Sequence, residues 1–81
     1  MSRDEIFNEL KEIIKEYLGE SELDIHEDSV LTEDLDLSSL DLISVVGDVE
    51  DAFNISIDDD AIMSINTVKD VLDYIENQVN A

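Results

Sequence analysis

Two serines stand side by side in the run Leu35-Asp36-Leu37-Ser38-Ser39-Leu40-Asp41. Downstream of them the apolar residues recur with helical period, so the pair sits at the mouth of a helix. A hydroxyl in that position can do two things. It can accept a hydrogen bond from a free N–H of the first turn, a cap that contributes about 1 kcal/mol. It can also anchor a phosphate, which the helix dipole favours. On the residues alone, both serines could do no more than cap.

Other chemistry has less to build on. His26 is the sole histidine and lies among Asp24, Glu27 and Asp28. A nucleophilic triad needs a histidine within reach of a serine and oriented by a third group, and nothing local supplies that. A solvated loop histidine is the expected state. Carboxylates are so frequent that no pair stands out as an acid–base couple. There is no glycine-rich phosphate loop. Asp34, Asp36 and Ser38 alternate like the first ligands of a calcium loop, but Ser39 then replaces the required glycine and Val45 the required glutamate. Diffuse cation association is all that spacing supports.

The elements that hold the serines follow from periodicity. A first helix is expected over Arg3–Leu18, opened by the capping box Ser2/Glu5 and stopped by Gly19. Its apolar stripe is Ile6, Leu10, Ile13, Ile14 and Tyr17. Residues 20–37 show no helical period and read as a long loop pinned by Leu23, Ile25, Val30, Leu31, Leu35 and Leu37. A loop of that length in so small a chain is unusual unless it is functional. The second helix starts at Ser38 or Ser39 and runs to Phe53, with Ser38 and Asp41 as a capping pair. Leu42, Val45, Val46, Val49 and Phe53 form its buried stripe. Leu40, Ile43 and Gly47 form a second line, bordered by Asp41, Ser44, Asp48, Glu50 and Asp51, which has the make-up of a small docking face. A short third helix, Asp59–Met63, and a last one capped by Thr67 and Asp70 complete the chain. The expected fold is all-α: one domain, residues 1–81, a small four-helix bundle with a long loop between the first and second helices.

Composition limits the function further. Eighty-one residues leave no room for a catalytic cleft beside the core, so no enzyme is expected. With no cysteine, neither disulfides nor thiolate metal sites are available. The formal net charge is −19, and no Lys or Arg falls between Lys15 and Lys69. That field repels nucleic acid and anionic membranes and steers the chain toward basic protein surfaces. Solubility alone is the plainer account of the charge. No apolar run approaches a membrane span and no signal peptide is evident, so a cytoplasmic monomer is expected.

Glu33-Asp34-Leu35-Asp36-Leu37-Ser38-Ser39-Leu40-Asp41 resembles the E-D-L-G-x-D-S-L-D signature of the acyl carrier protein family. Glu50-Asp51-Ala52-Phe53-Asn54-Ile55-Ser56-Ile57 resembles the family's E-E-x-F-x-x-x-I run, and Ile65-Asn66-Thr67-Val68 and Asp73-Tyr74-Ile75 its closing elements. The resemblance spans essentially the whole chain. It implies that Ser39 receives 4′-phosphopantetheine from coenzyme A through a separate phosphopantetheinyl transferase, while Ser38 keeps the cap. It implies an arm whose thiol holds acyl groups as thioesters. The partners it implies are acyl-transfer and condensing enzymes of fatty-acid or polyketide-like synthesis, with basic surfaces that meet Leu40, Asp41, Ile43, Asp48, Glu50 and Asp51. Val45, Val49, Ile57, Ile62, Ile65 and Leu72 are candidates for the wall of an acyl pocket, with ordinary core packing as the simpler role. Departures from the pattern are Asp36 for the usual Gly, Ser38 for the usual Asp, Ser44 for an acid and Gly47 for a larger apolar residue. They suggest a specialised carrier. A peptidyl or aminoacyl carrier, an unmodified acidic adaptor and an ion buffer are the other readings.

Overall fold

The computed structural model describes residues 1–80; the last residue of the expected domain, Ala81, lies outside them. The described residues form four helices: α1 Arg3–Leu18, α2 Ser39–Phe53, α3 Asp59–Ser64 and α4 Val68–Val79. Helix α1 packs against both α4 and α2, and α3 packs against α2. The expected all-α bundle with a long first loop and a short third helix is the fold observed.

Three of the four helices open on a capping box closed in both directions: Ser2/Glu5, Ser38/Asp41 and Thr67/Asp70. In each, the hydroxyl accepts the N–H of the third helical residue while that residue's carboxylate takes the cap's own N–H, so two orphan donors are satisfied at once. Helix α1 ends as Gly19 turns left-handed (φ 70°). The Gly19 and Glu20 N–H groups then reach back to the Glu16 and Lys15 carbonyls, at 3.3 and 3.1 Å. This is a Schellman closure, which glycine adopts without steric cost.

The core joins Ile6, Leu10 and Ile14 of α1, Val45, Val46 and Val49 of α2, and Val68, Val71, Leu72 and Ile75 of α4. From the loop, Ile25, Leu31, Leu35 and Leu37 enter the same cluster. Helix α3 has no fully buried residue; Ala61 and Ile62 are only half-buried against α2.

The loop of residues 20–38 also holds α4 through its backbone. The Val68 and Lys69 N–H groups, orphans of α4's first turn, donate to the carbonyls of Ser29 (3.0 Å) and Glu27 (2.8 Å). Leu31 N–H donates to Asn66 O at 3.0 Å beside the one isolated bridge among the described residues, Val30–Thr67. Arg3 adds a side-chain clasp at the same loop residue, Glu27. Its guanidinium meets Glu27 at 2.8 Å, Asp73 at 2.8 Å and Glu76 at 3.0 Å, joining α1, the loop and α4.

Asp70 gives this closure a pH dependence. Its carboxylate takes the N–H groups of Thr67 and Asn66, both at 3.0 Å. The Thr67 backbone bond above all holds its pKa below the usual carboxylate range. A folded-state value below the unfolded one contributes stability at neutral pH, and that contribution is lost as pH falls through the folded value. Asp70→Asn is therefore expected to lower the urea midpoint at neutral pH and to flatten its decline between about pH 5 and about pH 3. Parallel curves for variant and parent would contradict this.

Just before α2 the chain turns at Asp36, which is left-handed (φ 54°). For residues other than glycine this conformation carries a steric cost, least for Asp and Asn. Asp36→Gly is expected to raise the thermal midpoint, and Asp36→Val to lower stability by about 1–2 kcal/mol. A Val variant as stable as the parent would show that the turn is not fixed at this residue.

Candidate functional site

Helix α2 begins where the loop's last buried leucine, Leu37, hands over to Ser38. Ser38 is extended (φ −79°, ψ 173°), and its Oγ accepts the Asp41 N–H at 3.2 Å. Asp41 Oδ2 accepts both the N–H and the hydroxyl of Ser38, each at 2.9 Å. Asp41 Oδ1 accepts the hydroxyl of Tyr17 at 2.6 Å. The Tyr17 bond first, then those from Ser38, hold the Asp41 pKa below the usual carboxylate range. The two serines thus part company: Ser38 is occupied as the cap. Ser39, the first helical residue, is exposed, and no hydrogen bond among the described residues engages its hydroxyl.

Beside Ser39 lies a cleft of about 340 Å³ between α2 and α3, lined by Ser39, Leu42, Ile43, Ile62, Met63 and Ile65. It gathers two of the expected pocket residues, Ile62 and Ile65, around the serine. The other four, Val45, Val49, Ile57 and Leu72, do not line it but sit in the core, at most 7% exposed. Leu42, expected in the buried stripe of the second helix, also lines it, and so does Met63, which periodicity did not single out. Met63 is 87% exposed in a six-residue helix, and a lone methionine on so short a segment gives no periodic signal. A larger hollow of about 490 Å³, lined by Gly19, Glu20, Ser21, Glu22 and Leu23, does not include Ser39.

Leu40 and Ile43 are exposed (76% and 56%), and a Cβ added at Gly47 would meet open space. Asp48 and Asp51 are exposed, with no hydrogen bond or ion pair among the described residues. Asp41 is tied to Tyr17 and Ser38. Glu50 is half-buried, and its Oε2 accepts the Ile57 N–H at 2.8 Å. Tyr17 is a correction to the expected α1 stripe. It is 37% exposed and ends at the surface because its hydroxyl finds Asp41 there.

His26 is exposed, with Nε2 3.0 Å from Asp24 Oδ2. The nearby Ser29 hydroxyl accepts the backbone N–H of His26, so this contact is structural. Among the described residues no group of three or more His, Cys, Asp or Glu side chains is placed to hold a metal ion.

A family model described as the phosphopantetheine attachment site matches residues 8–75. The chain is 42% identical over 78 residues to an acyl carrier protein of Thermotoga maritima, covering 96% of each. It belongs to the acyl carrier protein family. An acyl carrier protein of Coprothermobacter proteolyticus is also 42% identical, over 98% of this chain and 96% of its own length. The crystal structure of an acyl carrier protein from Thermotoga maritima superposes with a TM-score of 0.86 at 30% identity, covering 99% of this chain and 93% of that one. The cofactor of the family is 4′-phosphopantetheine. Membership brings with it a phosphopantetheinyl transferase and acyl-handling partner enzymes, and makes the chain a carrier of groups. The residues fit such a cofactor: an exposed, unengaged hydroxyl stands at a helix start, with an apolar cleft beside it. No helix among the described residues is long and apolar enough to cross a membrane.

Proposed function

We propose that Ser39 is the attachment residue and that the whole chain, 1–81, works as one monomeric, cytoplasmic carrier unit of fatty-acid or related, polyketide-like synthesis. The observation that carries this is the free Ser39 hydroxyl on the first residue of α2, with its neighbour Ser38 already committed to the cap. When bound, the arm supplies a thiol on which acyl groups are held as thioesters. The chain contributes no catalytic residue; its side chains anchor, present and shelter.

Leu40 and Ile43 present an apolar contact, and Asp48 and Asp51 offer the free charge around it. Asp41 and Glu50 belong to the same face but each has part of its accepting capacity taken inside the chain. Partners matched to this face carry Lys or Arg around an apolar centre. Leu42, Ile43, Ile62, Met63 and Ile65 form the mouth of the acyl site. Val45, Val49, Ile57 and Leu72 are the wall that an acyl chain meets on pushing inward. Each methylene so buried contributes about 0.8 kcal/mol, enough to hold a medium chain and still release it to an enzyme. Helix α3, with no buried residue of its own, is the element that yields.

The docking part is tested by the rate at which a phosphopantetheinyl transferase loads the carrier. The double variant Asp48→Lys/Asp51→Lys is expected to lower kcat/KM by about tenfold or more at low salt, with a difference that shrinks as salt rises. Equal rates at low salt would remove these acids from the docking face.

A further inference from the structure

Tyr17 reaches the site from another helix. It stands near the end of α1, twenty-four residues before Asp41, and its ring is only part-covered. An apolar residue would serve the stripe as well as a tyrosine there. What the tyrosine adds is its hydroxyl, which makes a short, charge-assisted bond of 2.6 Å to Asp41 Oδ1. The other oxygen, Oδ2, holds the N–H and hydroxyl of Ser38. Ser39 therefore lies inside a closed loop of bonds, with Ser38 on one side, Asp41 on the other, and α1 as the outside anchor.

We propose that Tyr17 is a positioning residue for the loading of Ser39, acting through Asp41 to fix the first turn of α2 against α1. This rests on the reading of Ser39 as the attachment residue. In loading, the Ser39 hydroxyl gives its proton to a base of the transferase and its oxygen takes the phosphopantetheine phosphoryl from coenzyme A. One P–O bond forms as another breaks, and adenosine 3′,5′-bisphosphate leaves. A helix end ordinarily frays, and an exposed capping box alone holds it only weakly. The bond to Tyr17 ties that end to a second, longer helix, so the transferase meets the serine and the Asp41 carboxylate already in place. Ser44 and the Asp48 charge, both on α2, also act on the Tyr17 hydroxyl. Neither is a cation that could take over the hold on Asp41. The bond also stabilises the Asp41 carboxylate in its charged form, in keeping with its lowered pKa.

Tyr17→Phe removes the hydroxyl and keeps the ring. With coenzyme A and a phosphopantetheinyl transferase, the variant is expected to show a KM for the carrier raised by about three- to tenfold with kcat within about twofold. In an NMR titration the Asp41 carboxylate should shift upward, toward the usual range. Amide exchange should quicken at Leu40, Asp41 and Leu42 but not in α4. In an Asp41→Ala background, which removes the acceptor, the Tyr17→Phe change should add nothing. An unmoved Asp41 titration, or effects of the two substitutions that simply multiply, would overturn the proposal. If the parent chain is never loaded at Ser39, the attachment reading fails and the positioning role falls with it. Normal loading of the parent with an unchanged KM in Tyr17→Phe sinks the positioning role alone.

Discussion

Ser39→Ala is expected to abolish covalent loading by coenzyme A and a phosphopantetheinyl transferase while leaving the fold intact. The two effects separate because the two serines are bonded differently. The Ser38 hydroxyl accepts the Asp41 N–H and donates to the Asp41 carboxylate, whereas the Ser39 hydroxyl holds nothing among the described residues. Removing an exposed, unbonded hydroxyl costs at most about 0.5 kcal/mol. In a chain of this size that moves the thermal midpoint by no more than about 4 °C. Ser38→Ala should behave in the opposite sense. It loses the cap, about 1 kcal/mol, and still accepts the prosthetic group. If Ser39→Ala were loaded as readily as the parent, the attachment point would lie elsewhere. If it unfolded, Ser39 would be a structural residue and the division between the serines would be wrong.

Leu72→Ala is expected to lower stability by about 2–5 kcal/mol, the cost of removing a buried leucine together with the cavity it leaves. Leu72 is wholly buried in the cluster shared by α1, α2, α4 and the loop, so little can move in to fill the space. Ordinary domains of this length hold about 4–12 kcal/mol. The self-repulsion of a −19 chain works against the folded state, most strongly at low salt. The variant should therefore be partly unfolded at low salt and recover as salt rises, as read by circular dichroism. If Leu72 is also wall for an acyl chain, the enlarged cavity is apolar and open to an apolar guest. Loading with a medium-length acyl group should then raise the midpoint of Leu72→Ala by more than it raises that of the parent. A loss under about 1 kcal/mol would mean the core closes over the gap. Equal gains on acylation would leave Leu72 as core alone.

Much of the fold was legible because its determinants are local. Ser2 with Glu5, Ser38 with Asp41 and Thr67 with Asp70 are three residues apart, and each box closes as the spacing predicts. Gly19 marks the end of α1 for a reason carried by one residue, its freedom at positive φ. Which serine is the cap was not legible in this way: the residues alone leave both as caps, the family resemblance sets Ser39 apart, and the structure has the Ser38 hydroxyl accept the Asp41 N–H. What escaped a reading of periodicity depends on residues far apart in the chain. Arg3 collects Glu27, Asp73 and Glu76. The loop carbonyls of Glu27 and Ser29 receive α4's first N–H groups. Tyr17 crosses to Asp41. A stripe shows which side of a helix is buried, but not which polar tip at its edge meets which acid on a neighbour. The cleft was only partly foreseen for a related reason. Val45, Val49, Ile57 and Leu72 have the same apolar pattern whether they line a cleft or fill a core, and it is the placement of the short α3 that separates them from Ile62 and Ile65.

The central claim, that Ser39 alone carries the arm, is tested most directly by intact-mass measurement of the parent chain after incubation with coenzyme A and a phosphopantetheinyl transferase, followed by fragmentation to locate the added mass. The account predicts a single increment equal to one phosphopantetheine, localised to Ser39 and not to Ser38. No increment with transferases of several specificities, or an increment on Ser38, would contradict it.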